Sequence, residues 1–326
     1  MNLLTGKRVL VTGGAGFIGS SICHALLERG NQVVCLDNFA TGKRENIKDL
    51  KGNPGFKLIE GDIRDPETCH KAVKGVDVVL HQAALGSVPR SIADPATTNA
   101  VNINGFLNML IATRDAGIKR FVYASSSSVY GDSPELPKVE ERTGKVLSPY
   151  AITKLVNEEY ARVFGNLYGM ETIGLRYFNV FGRRQDPNGP YAAVIPKFTM
   201  AFMKYNSPVI NGDGSNSRDF TYIDNVVMAN NLAATVENPA ALNQAYNVAC
   251  GDSVNLNEMT SMLRSYLADK DPKIATVNPL HGPNRAGDIP HSMASIGKAV
   301  RLLGYNPQVL FSEGLKRAVE WYVDNL

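Results

Sequence analysis

The stretch Arg8-Val-Leu-Val-Thr-Gly-Gly-Ala-Gly-Phe-Ile-Gly19 joins an uninterrupted apolar run to three glycines at intervals of three. Val9 to Val11 reads as a buried parallel strand, and Gly13, Gly16 and Gly19 fall in the turn and in the opening of the helix that follows. Glycine at these points permits the tight turn, lets backbone N–H groups approach a pyrophosphate, and packs helix closely on strand. The helix N-terminus adds partial positive charge for the phosphates. A second apolar run, Gln32-Val-Val-Cys-Leu-Asp37, ends in an acid 18 residues beyond Gly19. A carboxylate there accepts hydrogen bonds from an adenosine ribose and repels a 2′-phosphate, so the expected cofactor is NAD rather than NADP.

Strand and helix patterns then alternate to about residue 180. Strands are expected at 56–62, 76–84, 120–125 and 172–179, with the longest helices from Asn102 to Ala116 and from Tyr150 to Tyr168. This is the pattern of an α/β chain with a Rossmann-type, doubly wound parallel sheet, which binds ligands at the carboxyl ends of its strands. Asp62, Ala83, Ala84 and the serines from Ser125 onward fall at such ends. Past Gly182 the pattern loosens into Arg183-Arg-Gln-Asp-Pro-Asn-Gly-Pro190. The expected division is therefore 1–182 for the nucleotide-binding lobe and 183–326 for a smaller C-terminal lobe, with the chain returning to the first lobe near 220–248.

Within Ser148-Pro-Tyr-Ala-Ile-Thr-Lys154, Pro149 suits the first turn of a helix. Tyr150 and Lys154, four apart, then share a face. An ammonium beside a phenol favours the phenolate, so the spacing predicts a tyrosine with lowered pKa, usable as a base near neutral pH.

Composition fits a soluble enzyme. Of 326 residues, 44% are hydrophobic, enough for two associated lobes. The 34 basic and 31 acidic residues are intermixed at a net charge of +3, which argues against nucleic acid or an anionic membrane as partner. Cys23, Cys35, Cys69 and Cys250 show no paired spacing and read as thiols of a reducing compartment. The five histidines form no metal-ligand spacing. No long apolar span or signal peptide is visible, so the cytoplasm is the expected location.

Several strings stand in a characteristic order: TGGAGFIG from Thr12 to Gly19, Asp37-Asn38, Gly61-Asp-Ile63, Ser125-Ser-Ser-Ser-Val-Tyr-Gly131 and Tyr150-x-x-x-Lys154. Arg176-Tyr-Phe-Asn-Val-Phe-Gly182, Arg218-Asp219 and Arg285-x-x-Gly-Asp288 complete the set, which spans nearly the whole chain. By these strings the chain resembles the extended short-chain dehydrogenase/reductases. Among these it is most similar to the UDP-hexose 4-epimerases, those acting on UDP-N-acetylglucosamine in particular.

The resemblance implies roles. Tyr150 would be the catalytic base, Lys154 would hold the nicotinamide ribose, and Ser126 would hydrogen-bond the reacting oxygen. Phe17, Ile18, Asn38, Thr41 and Gly42 would join the glycines and Asp37 around NAD, and Asp62 and Ile63 would contact the adenine. Gln82, Ala83, Ala84, Asn102, Ser125, Tyr177 and Asn179 would complete the cofactor site. The UDP-sugar would meet Gly86, Ser87, Ser126, Ser127, Tyr150, Asn179 and Gln185. It would also meet Ala193, Val194, Asn211, Arg218, Arg285, Asp288 and Ser292. Plainer readings stay open: Ser126 as a strand-end cap, Arg218 as a solvated surface charge, Ser292 as an ordinary loop serine.

Similar 4,6-dehydratases place an Asp-Glu pair where this chain has Ser127 and Ser128, which cannot do that acid–base work. In the resembling family a tyrosine four residues after the Asp of RxxGD excludes an N-acetyl group. Here that position is Ser292, and Gly86, Gln185 and Ala193 also match the N-acetylhexosamine pattern. The expected activity is thus C4 epimerisation of UDP-GlcNAc and UDP-GalNAc. UDP-glucose/UDP-galactose and, through Arg183 and Arg184, a UDP-uronate are the alternatives. A non-catalytic NAD-binding scaffold is the reading from another class. The resemblance also implies a homodimer through the helices 102–116 and 150–168.

Overall fold

The apolar run forms strand β1 (Arg8–Thr12) of a seven-stranded sheet in a computed structural model, which describes residues 3–188, 192–284 and 290–326. β2 (Gln32–Asp37), β3 (Phe56–Glu60), β4 (Val78–His81), β5 (Arg120–Ser126) and β6 (Glu171–Tyr177) follow, and the last strand is Gln244–Val248. Across the sheet the order is β3-β2-β1-β4-β5-β6 and then Gln244–Val248, with every pair parallel. Two parts of the sheet wind in opposite directions from β1. The gap above the β1–β4 junction is therefore the switch point where a ligand can enter.

Both faces of the sheet are covered, which explains why β1 lacks polar alternation. Val9 and Val11 face one layer with Ile22 and Leu26 of the helix Phe17–Glu28 and Val226 and Ala229 of the helix Ile223–Thr235. Leu10 faces the other, with Met109 and Leu110 of the helix Phe106–Asp115 and Phe164 of the long helix Pro149–Tyr168. Ser148 caps that long helix by accepting from Ala151 N, Pro149 occupies its first turn, and Gly169 ends it in left-handed geometry.

One element differs from its expected form. Residues 102–116 are not a single α-helix: Ala100–Gly105 is π-helical before the α-helix Phe106–Asp115 begins. Gly105 sits so close to Ile63 that an added Cβ would come 2.6 Å from its side chain. Hydrophobic periodicity does not distinguish such a widened turn from an α-helix.

After β6 the chain builds short strands and helices beside the carboxyl edge of the sheet. Ser217–Arg218 pairs with both Val254–Asn255 and His291–Ser292. Between these pieces it returns to the main sheet through Ile223–Thr235 and Gln244–Val248. A single apolar cluster runs from Val9 through Phe181, Phe198 and Tyr222 to Tyr322, so both regions share one core. No helix among the described residues is long and apolar enough to cross a membrane.

The turn after β1 tolerates little added volume. Gly13 has φ +66°, and a Cβ there would lie 2.8 Å from Ala83 Cα. One on Gly19 would collide with the Gly13 carbonyl. Gly19→Ala should therefore destabilise the fold by about 1–3 kcal/mol through overpacking. It should also weaken nucleotide retention. Thermal unfolding checks this, and a midpoint equal to that of the wild type would contradict it.

Candidate active site

A cleft of about 390 Å³ opens at the switch point. Gly13, Gly16, Phe17, Ile18 and Gly19 line it from the first turn, and Asp37, Asn38 and Thr41 from the end of β2. Asp62 and Ile63 follow β3, while Gln82, Ala83, Ala84 and Gly86 follow β4. Ser125 and Ser126 end β5, Tyr150 and Lys154 project from the long helix, and Tyr177 ends β6. Gln185 reaches the cleft from beyond Gly182.

The acid of β2 is held in place by backbone. Asp37 Oδ2 accepts from Ala15 N at 2.9 Å and Oδ1 from Phe39 N at 2.8 Å. Burial pushes its pKa up, and these amides pull it down. Each oxygen keeps a further lone pair for a ribose hydroxyl. Gly42 packs behind this carboxylate, where a Cβ would come 2.8 Å from Oδ1. Asp62 pairs with Arg64 at 2.7 Å and accepts from Asn38 Nδ2 at 2.8 Å. The Arg64 hydrogen bonds hold its carboxyl down at about 2. A glycine turn open to the helix N-terminus, with a carboxylate 18 residues on, fits a dinucleotide.

At the centre, Ser126 stands beside Tyr150, near enough to favour its phenolate, and an ideal Cβ on Gly86 would stand 4.0 Å from the Tyr150 hydroxyl. Ser126 also caps the turn after β5, accepting from Ser128 N at 3.1 Å, so the cap and the tyrosine partner are one residue. Lys154 Nζ donates to the Ala124 carbonyl at 2.7 Å and lies 5.9 Å from the Tyr150 ring centroid. Burial lowers the Lys154 pKa to about 8, against the opposing charge of Glu158.

The expected lowering of the Tyr150 pKa is not found. Burial is the largest influence and raises it, and Ser126 pulls only partly the other way. The lysine shares the helix face but extends past the phenol to β5, because its ammonium satisfies itself on a buried carbonyl.

Other expected residues stand outside the cleft lining. Asn102 is buried, and its amide is engaged by Leu85 N, Leu85 O and Thr153 Oγ1, so it shapes the loop after β4. Ser87 caps the helix Val88–Ala93, and Ser127 begins the 3₁₀ turn that ends at Tyr130. Asn179, at φ 30°, donates from Nδ2 to Asp219 O at 3.0 Å. Ala193 precedes the helix Val194–Met203, Asn211 is exposed at a strand end, and Arg218 stands in parallel register with Ser292. Arg218 is half-buried, with Nη1 donating to the Ser217 and Pro290 carbonyls, unlike a free surface charge. Arg285 and Asp288 lie outside the described residues.

Two groups were missed in the sequence. Asn230, on Ile223–Thr235, closes a ring of hydrogen bonds: Tyr177 Oη donates to Gln82 Oε1 (2.9 Å), Gln82 Nε2 to Asn230 Oδ1 (3.0 Å), and Asn230 Nδ2 to Tyr177 Oη (2.8 Å). Only the tertiary structure brings those three together. Glu158 accepts from the cleft residue Ser125, and its place four residues past Lys154 was a signal available in the sequence.

The family model described as the NAD dependent epimerase/dehydratase family matches residues 9–249. The chain is 38% identical to a putative UDP-glucose 4-epimerase of Methanocaldococcus jannaschii, over 97% of this chain and 99% of that protein. In structure it is similar to a UDP-N-acetylglucosamine 4-epimerase from Methanobrevibacter ruminantium, solved in complex with UDP-N-acetylmuramic acid. The TM-score is 0.92 and the identity 38%, over 99% of this chain and 100% of the other. It is also similar to a UDP-glucose 4-epimerase from Thermotoga maritima solved with UDP-glucose. That TM-score is 0.89 and the identity 34%, over 97% of this chain and 99% of the other.

The space at Gly86 yields a prediction. Its backbone does not require glycine, and a Cβ meets only the Tyr150 hydroxyl, at ordinary contact distance. Gly86→Val should leave folding intact while its methyl groups cover the phenol. Turnover should fall about 10²-fold, the scale set by displacing a reacting group. Thermal unfolding and steady-state rates together test it, and wild-type turnover would show that the phenol is approached from elsewhere.

Proposed function

The chain belongs to the NAD dependent epimerase/dehydratase family, and from that premise we propose that it inverts C4 of UDP-N-acetylglucosamine and UDP-N-acetylgalactosamine. The relatives support UDP-sugar 4-epimerase chemistry. The observation that carries the proposal is Tyr150 against Ser126 in the cleft, one helical turn from buried Lys154, with Gly86 leaving its hydroxyl open.

Bound NAD supplies the acceptor for the C4 hydride and its return. Tyr150 removes the O4 proton and later gives it back, while the Ser126 hydroxyl holds the same oxygen. Lys154 keeps a positive charge near the phenol and the ribose site. Its ammonium offsets the cost that burial imposes on a phenolate. Between the two transfers the 4-keto sugar must turn its other face to the same residues, and the small side at Gly86 leaves room for that movement. Ser127 and Ser128 supply no acid–base pair for water elimination, so the ketone is reduced rather than dehydrated.

Preference for the N-acetylated pair is supported by Gly86, Ala193 and Ser292, which are small where a C2 substituent needs space, and by the Methanobrevibacter neighbour. The UDP-glucose/UDP-galactose reading is favoured by the Methanocaldococcus and Thermotoga relatives. A uronate reading asks Arg183 and Arg184 to meet a C6 carboxylate: Arg183 is already paired with Asp224 at 2.7 Å, whereas Arg184 Nη1 is buried with no hydrogen-bond partner among the described residues. We also propose a homodimer through the long helix, which exposes Ile152, Leu167 and Tyr168.

Protein purified without added nucleotide should carry NAD and convert UDP-GlcNAc and UDP-GalNAc faster than UDP-glucose and UDP-galactose. Separation and quantification of the C4 epimers provides the measurement. Tyr150→Phe should retain NAD and lose turnover by a factor of about 10²–10⁴. Near-normal turnover in that variant would move the base elsewhere. Ser292→Tyr adds a ring where an acetamido group must pass, so it should abolish conversion of the N-acetylated pair and spare much of the other. Equal losses on both pairs would make Ser292 structural.

A further inference from the structure

We infer that Glu158 is a positioning residue for the Tyr150–Lys154 pair: clamped by Arg176, it fixes the end of β5 and supplies the counter-charge for the buried lysine. This rests on the reading above that Lys154 serves the reaction.

The geometry is a chain of short contacts. Arg176 grips Glu158 in a fork, Nε to Oε1 at 2.9 Å and Nη2 to Oε2 at 2.7 Å, with both side chains nearly buried. The second guanidinium edge is held as well, Nη1 donating to Tyr130 Oη at 3.1 Å and to the Glu140 carbonyl at 3.0 Å. Oε1 of Glu158 also accepts from Ser125 Oγ at 2.5 Å. Ser125 lies between Ala124, whose carbonyl takes the Lys154 ammonium, and Ser126, which touches Tyr150. One carboxylate thus pins the peptide stretch that places both partners of the reacting tyrosine.

Its position in the helix adds the electrostatic half. Tyr150, Lys154 and Glu158 follow at i, i+4 and i+8, one face of Pro149–Tyr168. The groups around Lys154 are few. Tyr150 and Glu158 lie on its own helix, Ala124 O on β5, and Arg176 on β6 behind Glu158. His81 on β4 is itself held neutral, its pKa lowered to about 3 by burial and by the Lys154 charge. Glu158 is the only carboxylate among them and opposes the loss of the lysine proton. Around Glu158 stand Ser125 and Tyr123 on β5, Arg176 on β6, and the neighbouring Glu159–Arg162 pair on the same helix, while Glu140 and the Glu141–Lys298 pair line the same cavity from beyond β5.

A lysine that must be charged contributes below its folded pKa and fails above it, so removing the counter-charge moves that failure to lower pH. Glu158→Gln keeps the reach to Ser125 and removes the charge. In holoenzyme with its own NAD, the alkaline limb of the kcat profile should shift down by about one pH unit. KM for the UDP-sugar should change less than about twofold, because only the reacting groups are disturbed. Because Glu158→Gln leaves the Arg176 charge buried and unpaired, Glu158→Gln/Arg176→Met is made beside it to restore a neutral layer. A shift in the same direction but smaller is expected there, because the Arg176 charge that disfavours the lysine ammonium goes with the carboxylate.

An alkaline limb at the wild-type position in a folded variant, or a change confined to KM, would overturn the inference. Lys154→Met separates the two readings. If it turns over normally, the assignment of Lys154 has failed. If it is inactive while both Glu158 variants keep the wild-type profile, only the role of Glu158 has failed.

Discussion

Burying the Lys154 ammonium at the carboxyl end of a parallel sheet is the constraint on which the rest of the site depends. A buried cation is costly unless it is hydrogen-bonded and balanced by opposite charge. The Ala124 carbonyl gives the hydrogen bond and Glu158 the charge, while Arg176 prevents that carboxylate from becoming the next uncompensated group. Each requirement recruits another element: the long helix, β5, then β6. The tyrosine is placed as a consequence, since it shares the lysine's helix face and the serine it touches ends the same strand. Burial holds the Tyr150 phenol's pKa above its ordinary value, and Ser126 opposes that rise.

The same layer reaches toward the smaller region. Arg176 touches Tyr130, whose hydroxyl donates to Asn247 Oδ1 at 2.7 Å, and Asn247 Nδ2 bonds the carbonyls of Lys138 and Ser295. Ser295 N returns a bond to the Lys138 carbonyl, three residues after Ser292. Asp219 fastens the other side, its carboxylate accepting from Cys250 N and Gly251 N at 2.9 and 3.0 Å and from Ala294 N at 3.3 Å. Burial raises its pKa to about 6, and the three amides work against that rise. The segment bearing Ser292 is therefore braced against the nucleotide-binding lobe by buried polar bonds, which position more strictly than apolar contact alone.

The two regions also share one apolar core, which runs from Val9 and Val11 of β1 through Phe181 and Tyr222 to Tyr322. Close packing of this kind transmits small volume changes.

Local sequence was enough for the main architecture. The apolar run before Gly13, the acid at 37 and the i, i+4 pair each encode a short-range requirement: a buried strand, a glycine turn, one helix face. Those requirements are met by neighbours in the chain, so β2 begins and ends at the residues expected of it. What local pattern could not carry were the partners fixed by folding. Ala100–Gly105 is π-helical, with Gly105 close against Ile63, and within it Asn102 bonds Leu85 and Thr153 and does not line the cleft. The Gln82–Tyr177–Asn230 ring joins residues up to 148 positions apart. The direction of the Tyr150 pKa was also decided by tertiary structure, because helix spacing places a cation near a phenol but burial determines what each of them costs. The sequence by itself determined which groups stand at the ends of the strands; only the folded chain decided which of them are buried, which are paired and which face the cleft, because burial and pairing are properties of neighbours brought together from distant parts of the chain.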